Sequence, residues 1–290
     1  MNLKRIYPQY LTFLPLGIYL LFFIVPSLVG FYFAFTDWNP FIEGIHFVGF
    51  ANFAEILNNK SLGGAAWNTI SFTIITTILK NGFGLLIAII LNQQLKSQNL
   101  LRTIYFLPII LSALVVGLLF NAIFDAQGGV IHRLATQIGL EAWEPEWLGR
   151  RLPALFVINL AEIWRSTGYA VVILLAGLQV IPKDYYEAAM IDGASAWQRF
   201  KSVTIPLLMP AIHINILLSI IYGLRVFDIV YILTGGGPGH DTETFSTLIL
   251  NEFSQDRYAQ STAINLVFCI LLVGIAFTYQ KFSQKTEVEL

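Results

Sequence analysis

Residues 181–195 read IPKDYYEAAMIDGAS, a polar segment between two long apolar stretches of the chain. Pro182 lacks a backbone N–H group, and it therefore predicts the end of the preceding helix. Asp184 and Glu187 have the spacing of a capping box, in which each end residue satisfies a free backbone N–H of the other. This spacing predicts that a short new helix begins at Asp184.

The far end of the short helix is also marked in the sequence. Ala188 and Ala189 leave one of its sides thin, and Gly193 can adopt the left-handed backbone conformation that ends a helix. We expect a slim helix with an acidic end, a shape that fits a groove on a soluble partner. An ordinary connecting loop is the alternative that these residues leave open.

The rest of the chain is strongly apolar. Of its 290 residues, 56% are hydrophobic and 12% are charged, and the mean hydropathy is +0.67. A soluble protein of this size cannot bury so much apolar surface, so lipid must be the solvent for part of it. Six stretches have the roughly 20 apolar residues that cross a bilayer, namely 11–36, 67–91, 104–124, 156–181, 205–233 and 262–279. The predicted fold is an all-α polytopic membrane protein with six transmembrane helices and a single domain over residues 1–290.

The distribution of lysine and arginine predicts the orientation of the chain. The side that holds residues 182–205 carries nine of these cations in its termini and loops, and the opposite side carries five. Because cytoplasmic segments are enriched in lysine and arginine, we expect both termini and residues 182–205 to be cytoplasmic.

The order E-A-A-x-x-D-G-A, followed by F-x-x-V-x-I-P-x-x-x-P, resembles the EAA loop of permease subunits in type I ATP-binding-cassette importers. The match comprises Glu187, Ala188, Ala189, Asp192, Gly193, Ala194, Phe200, Pro206 and Pro210. Other motifs are similar to the sugar-import branch of that family, among them Y-F-L-P at 105–108 and T-G-G-G-P at 234–238. His132 departs from it, since asparagine is expected there. The resemblance covers most of the chain and implies the maltose-type inner-membrane component in a shorter, six-span form.

The resemblance implies a role in transport for residues 182–205, which we call the coupling loop. In that family the loop docks into a cleft on the cytoplasmic ATPase, and the matching positions are Asp184, Glu187, Ala188, Ala189, Asp192 and Gly193. The implied partners are a second, non-identical permease subunit, two cytoplasmic ATPase subunits that bind ATP and magnesium, and an extracytoplasmic sugar-binding protein. The chain would then be a transport subunit of the bacterial inner membrane, with no enzymatic activity, cofactor or metal of its own.

The resemblance also implies a substrate path, carried over position by position. The expected residues are Pro108, Ser112 and Ala113 in the third span, Trp164, Arg165, Ser166 and Tyr169 in the fourth, and Ser219, Tyr222, Gly223 and Val226 in the fifth. The last four have the i, i+3, i+4, i+7 spacing of one helical stripe. Hydroxyls and aromatic rings suit a sugar, although plain packing is the alternative for each residue.

Five aspartate, glutamate, lysine or arginine residues fall inside the predicted spans, where a charge costs at least ~2.5 kcal/mol. Glu162 and Arg165 are spaced i, i+3, and so are Arg225 and Asp228, so each pair is predicted to neutralise itself along one helix face. Lys80 has no local partner. We expect it to face protein, water or a sister subunit, and the sequence assigns it no role.

Other functional classes are less well supported. The chain has no G-x-x-x-x-G-K-[ST] nucleotide-binding motif, and its four histidines are scattered rather than clustered as in a membrane-embedded enzyme. An ion-coupled transporter could use Asp228 or Glu162, but it would be favoured by broken helices and internal repeats, and the sequence predicts neither. Within the favoured family, a glycerophosphodiester or another polar solute is the alternative cargo.

Overall fold

A computed structural model of the chain describes residues 10–93, 96–140 and 145–283. Regular structure within these residues is helical, in the order α1 (Tyr10–Tyr19), α2 (Val25–Phe33), α3 (Ala51–Leu57), α4 (Lys60–Leu91), α5 (Gln98–Ile110), α6 (Ala113–Phe124), α7 (Val130–Gln137), α8 (Arg151–Val180), α9 (Lys183–Ile191), α10 (Ala196–Arg199), α11 (Ile205–Leu224), α12 (Asp228–Thr234), α13 (Phe245–Ser254) and α14 (Tyr258–Ser283). The predicted all-α fold is confirmed.

Within the described ranges, five helical segments are long and apolar enough to cross a membrane. They are Thr12–Phe33, Lys60–Leu91, Arg151–Val180, Ala196–Leu224 and Tyr258–Ser283. A sixth crossing is obtained if α5 and α6, which bend by 97° at the residues between them, count as one span. Lys4, Arg5 and Lys285, which entered the predicted orientation, lie outside the described residues, and that orientation stays a prediction.

The predicted third and fifth spans are both interrupted, so the expectation of unbroken helices is wrong. In the third, Leu111 and Ser112 are extended, and the Ser112 hydroxyl accepts a hydrogen bond from the Val115 N–H at 3.3 Å to start α6. In the fifth, α11 ends at Leu224, and the Thr244 hydroxyl donates to the Val226 carbonyl at 3.2 Å. These side chains satisfy backbone groups that a continuous helix would have paired internally.

Two wide π-helical turns each precede a proline. Leu20–Ile24 comes before Pro26, and Phe200–Thr204 comes before Pro206. Proline has no N–H to donate and crowds the carbonyl four residues earlier, so a wider turn lets the helix continue through it. The second of these turns joins α10 to α11 and completes the coupling loop.

The described residues divide into two compact units. The N-terminal unit comprises the described residues of Met1–Lys60 and Leu248–Ile270, and the central unit comprises those of Ser61–Thr247 and Leu271–Leu290. Within the N-terminal unit, the buried Asn52 amide donates to the carbonyls of Ala34 at 2.9 Å and Thr36 at 2.8 Å. Nearby, the backbone N–H and ring of His46 hold the pKa of the exposed Asp37 carboxyl below its usual range.

The central unit has two apolar clusters at different heights along α4 and α8. The first joins α4, α6, α8 and α12 around Phe72, Val116, Phe120, Phe124, Val157, Ile158, Ala161, Val226, Ile229, Val230 and Leu233. The second joins α4, α8 and α11 around Ala88, Leu91, Val171, Leu174, Leu175, Leu178, Ile181 and Leu208. Along α4 and α8, the polar residues Lys80, Glu162 and Arg165 lie between the two clusters in sequence. The functional groups therefore sit on helices that are anchored on both sides.

Candidate functional site

Helix α9 begins at Lys183, and two residues separate it from the end of α8 at Val180, as Pro182 predicts. Pro182 itself is the N-cap, with an extended backbone and no side-chain cap. Asp184 lies inside the first turn, so the predicted capping box with Glu187 is wrong. The fixed backbone angle of proline already suits the N-cap, and Asp184 instead interacts with the positive end of the helix dipole.

A capping box does occur at the start of α10. The Ser195 hydroxyl accepts from the Gln198 N–H at 3.3 Å, and the Gln198 side chain accepts from the Ser195 N–H at 2.7 Å. Sequence reasoning missed it, although the S-x-x-Q spacing is the signal that reveals such a box.

Gly193 ends α9 in the left-handed conformation, as predicted, with φ of +77°. The N–H of Gly193 donates to the Met190 carbonyl at 3.0 Å, and the N–H of Ala194 donates to the Ala189 carbonyl at 2.9 Å. These two bonds form a Schellman motif, which requires a positive φ at the glycine position. The end of α9 therefore depends on this glycine.

The surface of α9 is open in the single chain. No residue of α9 is buried, and Ile191 is 87% exposed and Met190 51% exposed. The helix is held at its base by the hydroxyls of Tyr186 and Thr204, which hydrogen bond at 3.1 Å. Of the predicted coupling residues, Ala189 is half-buried, and Asp184, Glu187, Ala188, Asp192 and Gly193 are exposed.

A cavity of about 300 Å³ opens among α4, α5, α8 and α11 of the central unit. It combines charged, hydroxyl, amide and aromatic groups, and its lining comprises Lys80, Ile109, Glu162, Arg165, Ser166, Tyr169, Ala170, Asn215, Leu218, Ser219 and Tyr222. The structure thus brings together five of the eleven residues predicted for the substrate path, namely Arg165, Ser166, Tyr169, Ser219 and Tyr222.

A buried carboxylate organises the charged side of this cavity. Glu162 accepts from Arg165 Nη2 at 2.9 Å through Oε2, and from the Ser166 hydroxyl at 2.9 Å through Oε1. Its Oε1 also lies 3.7 Å from Lys80 Nζ, and both side chains are less than a tenth exposed. The predicted Glu162–Arg165 pair is confirmed. Lys80 pairs with the same carboxylate. Because Lys80 is on α4 and Glu162 is on α8, no local spacing in the sequence indicates this pair.

A ladder of polar side chains joins α4 to α11 beside the ion pairs. Asn215 Nδ2 donates to Asn81 Oδ1 at 2.8 Å, and Asn81 Nδ2 donates to the Ser219 hydroxyl at 3.2 Å. Asn215 is 1% exposed and lines the cavity. Sequence reasoning missed Asn215, although an asparagine four residues before Ser219 in an apolar span was a signal that could have found it.

The aromatic side of the cavity is formed by two tyrosines. The rings of Tyr169 and Tyr222 meet edge to face, with centroids 6.4 Å apart and an interplanar angle of 78°. They are 40% and 61% exposed. Both therefore present ring surface that a ligand or another chain can contact.

The other residues predicted for the fifth-span part of the path lie elsewhere. A side chain at Gly223 would come within 2.9 Å of the Thr73 Cα, so this glycine serves close helix packing. Val226 lies beyond the end of α11 and packs in the first apolar cluster with Ile229. The predicted four-residue stripe is therefore wrong for Val226, because the helix that would carry it stops at Leu224.

Four residues that were predicted for the path in the third and fourth spans also lie outside the cavity. Pro108 is buried within α5, Ser112 caps α6, and Ala113 is the half-buried first residue of α6. Trp164 is 41% exposed, and its ring lies 5.8 Å from that of Phe120. None of these four lines the cavity. The predicted third span contributes Ile109 of α5 to the cavity wall instead.

The predicted pairing of Arg225 with Asp228 along one helix is wrong. Arg225 caps the end of α11, and Asp228 begins α12 after the break. Both are exposed, and the ion pairs formed within the described ranges do not include one between them. The i, i+3 spacing implies contact only within a continuous helix.

Residues 80–285 match the family model described as binding-protein-dependent transport system inner membrane component. The chain is 36% identical over 273 residues to the trehalose/maltose transport system permease protein MalF of Thermococcus litoralis, covering 94% of this chain and 92% of that protein. It is 30% identical to the multiple sugar-binding transport system permease protein MsmF of Streptococcus mutans, with 99% of this chain and all of that protein covered.

Among solved structures, the chain is similar to one from a bacterial ABC transporter involved in the import of the acidic polysaccharide alginate. The TM-score is 0.84 at 23% identity, over 98% of this chain and 97% of that one. A second structure of the alginate transporter, in complex with an alginate pentasaccharide-bound periplasmic protein, matches with the same TM-score. At this level of identity, the likeness establishes the fold.

Proposed function

The chain belongs to the family of binding-protein-dependent transport system inner membrane components, and on that premise we propose that it passes a sugar or oligosaccharide through the cavity among α4, α5, α8 and α11. It is the permease subunit of an ATP-binding-cassette importer, a multi-pass protein of the inner membrane and a transport subunit rather than an enzyme. Relatives named for trehalose, maltose and other sugars support the choice of cargo.

The observation that carries the proposal is the composition of the cavity wall. Polar side chains buried among apolar helices are costly unless they are hydrogen-bonded, and here they converge on one space. Ser166, Ser219 and Asn215 offer donors and acceptors for sugar hydroxyls, while Tyr169 and Tyr222 offer ring faces for the C–H surface of a sugar.

The size of the cavity fits half of a translocation path. Its volume of about 300 Å³ is at the lower end for sites that enclose a small ligand, which typically span about 300–1,000 Å³. A second permease subunit, non-identical to this one, would supply the opposite wall. The six remaining residues of the predicted path lie outside this cavity, and three of them, Pro108, Gly223 and Val226, are buried by packing within the chain.

Coupling to ATP is assigned to α9. Two cytoplasmic ATPase subunits would bind ATP and magnesium, and their cleft would receive the exposed face of α9, with Asp184 and Glu187 on its acidic end. Closure of the ATPase pair then moves the coupling loop and opens the cavity toward the extracytoplasmic binding protein. The loop at 235–239 would lie on that outer side.

Uptake into proteoliposomes tests the proposal. The assembled complex, supplied with ATP and its binding protein, should accumulate at least one labelled saccharide from a panel of neutral and acidic di- and trisaccharides. Tyr222→Ala and Ser219→Ala should each lower the apparent affinity by a factor corresponding to about 1 kcal/mol. Tyr32→Ala is the matched control, because Tyr32 is a half-exposed tyrosine of α2 outside the cavity. Unchanged uptake in both cavity variants would place the sugar path elsewhere.

A further inference from the structure

The wall of the cavity holds one cation more than it holds anions. Its carboxylate, ammonium and guanidinium groups belong to Glu162, Lys80 and Arg165, and the two basic side chains share the single carboxylate. With all three ionised, the lining carries a net charge of +1.

The hydrogen-bond donors of these charged side chains likewise exceed what the single carboxylate accepts. Both carboxylate oxygens of Glu162 already have partners, from Arg165, Ser166 and Lys80. Within the described residues, the Arg165 guanidinium donates one hydrogen bond through Nη2, and its buried Nε has no acceptor. Donors therefore remain on the charged side of the cavity after the carboxylate is satisfied.

A purely structural ion pair would not need the second cation. Glu162 and Arg165 already form a neutral pair on α8 at 2.9 Å. Adding Lys80, whose side chain is 5% exposed, places a further positive charge in a poorly hydrated setting, where an uncompensated charge is strongly unfavourable. With Lys80 charged, an anion that approaches the three residues would balance the arrangement.

From this balance we infer that the cavity accepts a saccharide that carries an anionic group, a carboxylate or a phosphate. The inference rests on the proposed function and narrows its substrate class. Arg165, whose side chain is 27% exposed, contacts the anion, and the more deeply buried Lys80 contributes mainly its charge. The hydroxyl, amide and ring groups beside them receive the rest of the sugar.

Ligand-dependent thermal stability of the complex tests the inference. The detergent-solubilised complex of both permeases and both ATPases is used without the binding protein, so that stabilisation by a saccharide cannot come from the binding protein. The probes are the trisaccharides of galacturonate and mannuronate, each compared with its fully methyl-esterified form, which has the same sugar without the charge. In a second arm, trehalose 6-phosphate is compared with trehalose. This arm distinguishes a preference for a phosphate group from a preference for a carboxylate. A charged probe in at least one arm should raise the unfolding midpoint at a concentration about tenfold lower than its neutral counterpart does.

Two variants connect the preference to these residues. Arg165→Gln leaves the Lys80–Glu162 pair, and Lys80→Gln leaves the Glu162–Arg165 pair, so each variant keeps the Glu162 carboxylate in an ion pair of zero net charge. Both should lose the preference for the charged probe by about tenfold. Arg150→Gln is the control, since Arg150 is an exposed cation that pairs with Glu146 outside the cavity.

The outcomes separate the inference from the proposed function. Equal responses to charged and neutral probes, or a charge preference that survives in both variants, would overturn the inference and leave saccharide transport intact. A complex that responds to no saccharide overturns the inference as well. If the intact system with its binding protein also accumulates no saccharide, the proposed function fails too.

Discussion

The coupling loop and the cavity belong to the same central unit, and they are built in opposite ways. In the coupling loop, the capping contacts join residues no more than five positions apart, and only Tyr186 with Thr204 reaches further. In the cavity, the Asn215–Asn81 bond joins residues 134 positions apart. The loop can therefore offer an exposed face to a partner, because its helix ends are fixed by local hydrogen bonds rather than by packing in the core. The cavity can hold its polar groups only because the packed helices hold them together.

The largest expected effect is in the coupling loop. Gly193→Pro should abolish uptake while the chain still reaches the membrane, because proline cannot adopt the φ of +77° that ends α9. Glu187→Lys, which reverses an exposed charge without straining the backbone, should have the same result. The measurements are uptake and ATPase stimulation by the binding protein in proteoliposomes.

Gly139→Pro is the matched control for this prediction. Gly139 also has a positive φ, of +72°, just after α7 and outside the coupling loop. If Gly193→Pro and Glu187→Lys both transported at the unmodified rate, the assignment of the coupling loop would be wrong.

The next prediction concerns which side of the membrane two loops face, and its expected result is all or none. In a background with Cys269→Ser, Gly239→Cys should react with an impermeant thiol reagent from the periplasm, and Lys183→Cys should react only after the membrane is opened. The physical reason is the excess of lysine and arginine on the side of the coupling loop. The reverse labelling pattern would invert the proposed orientation.

In the cavity, the largest expected effect follows loss of the carboxylate. Glu162→Gln leaves the cations of Lys80 and Arg165 close together without their shared anion, and should destabilise the protein by about 3–5 kcal/mol. Lys80→Gln leaves the 2.9 Å pair on α8 intact and should cost far less. Thermal unfolding of the solubilised complex measures the difference. Equal midpoints for the two variants would show that Glu162 does not hold this site together.

A smaller effect is expected from the polar ladder. Asn215→Ala removes the donor to Asn81 Oδ1 and should cost about 1 kcal/mol, a typical value for a hydrogen bond between transmembrane helices. Asn58→Ala is the control, because Asn58 is exposed and bonds only within its own helical turn. A loss no larger than that of the control would mean that the ladder does not stabilise the contact between α4 and α11.

The smallest effect is expected at the helix break between α11 and α12. Arg225 and Asp228 are exposed and do not pair with each other, so neutral substitutions at each should act independently. The coupling energy from the double-mutant cycle should be below about 0.5 kcal/mol. Recovery of uptake in the double variant beyond the sum of the single effects would indicate a contact that forms during transport.

The two regions also differ in how far the sequence could predict them. In the coupling loop, Pro182 and Gly193 act through their own backbone preferences, so the limits of α9 could be predicted from single residues. The capping box could not be assigned correctly, since Pro182 and Asp184 were both eligible to start the helix. Short polar side chains compete for nearby backbone groups, and small differences in backbone geometry decide which of them caps the helix.

The sequence by itself determined that the chain is helical and lies in a membrane, because hydropathy and backbone preferences are properties of contiguous residues. It also determined the pair of Glu162 with Arg165, one turn apart on α8. Only the tertiary structure decided that Lys80 shares that carboxylate, that Asn215 joins α11 to α4, and that Val226 belongs to the core rather than to the cavity. Those outcomes depend on which helices meet, at what height, and where a helix breaks. Such contacts join residues far apart in the chain, and no local pattern records them.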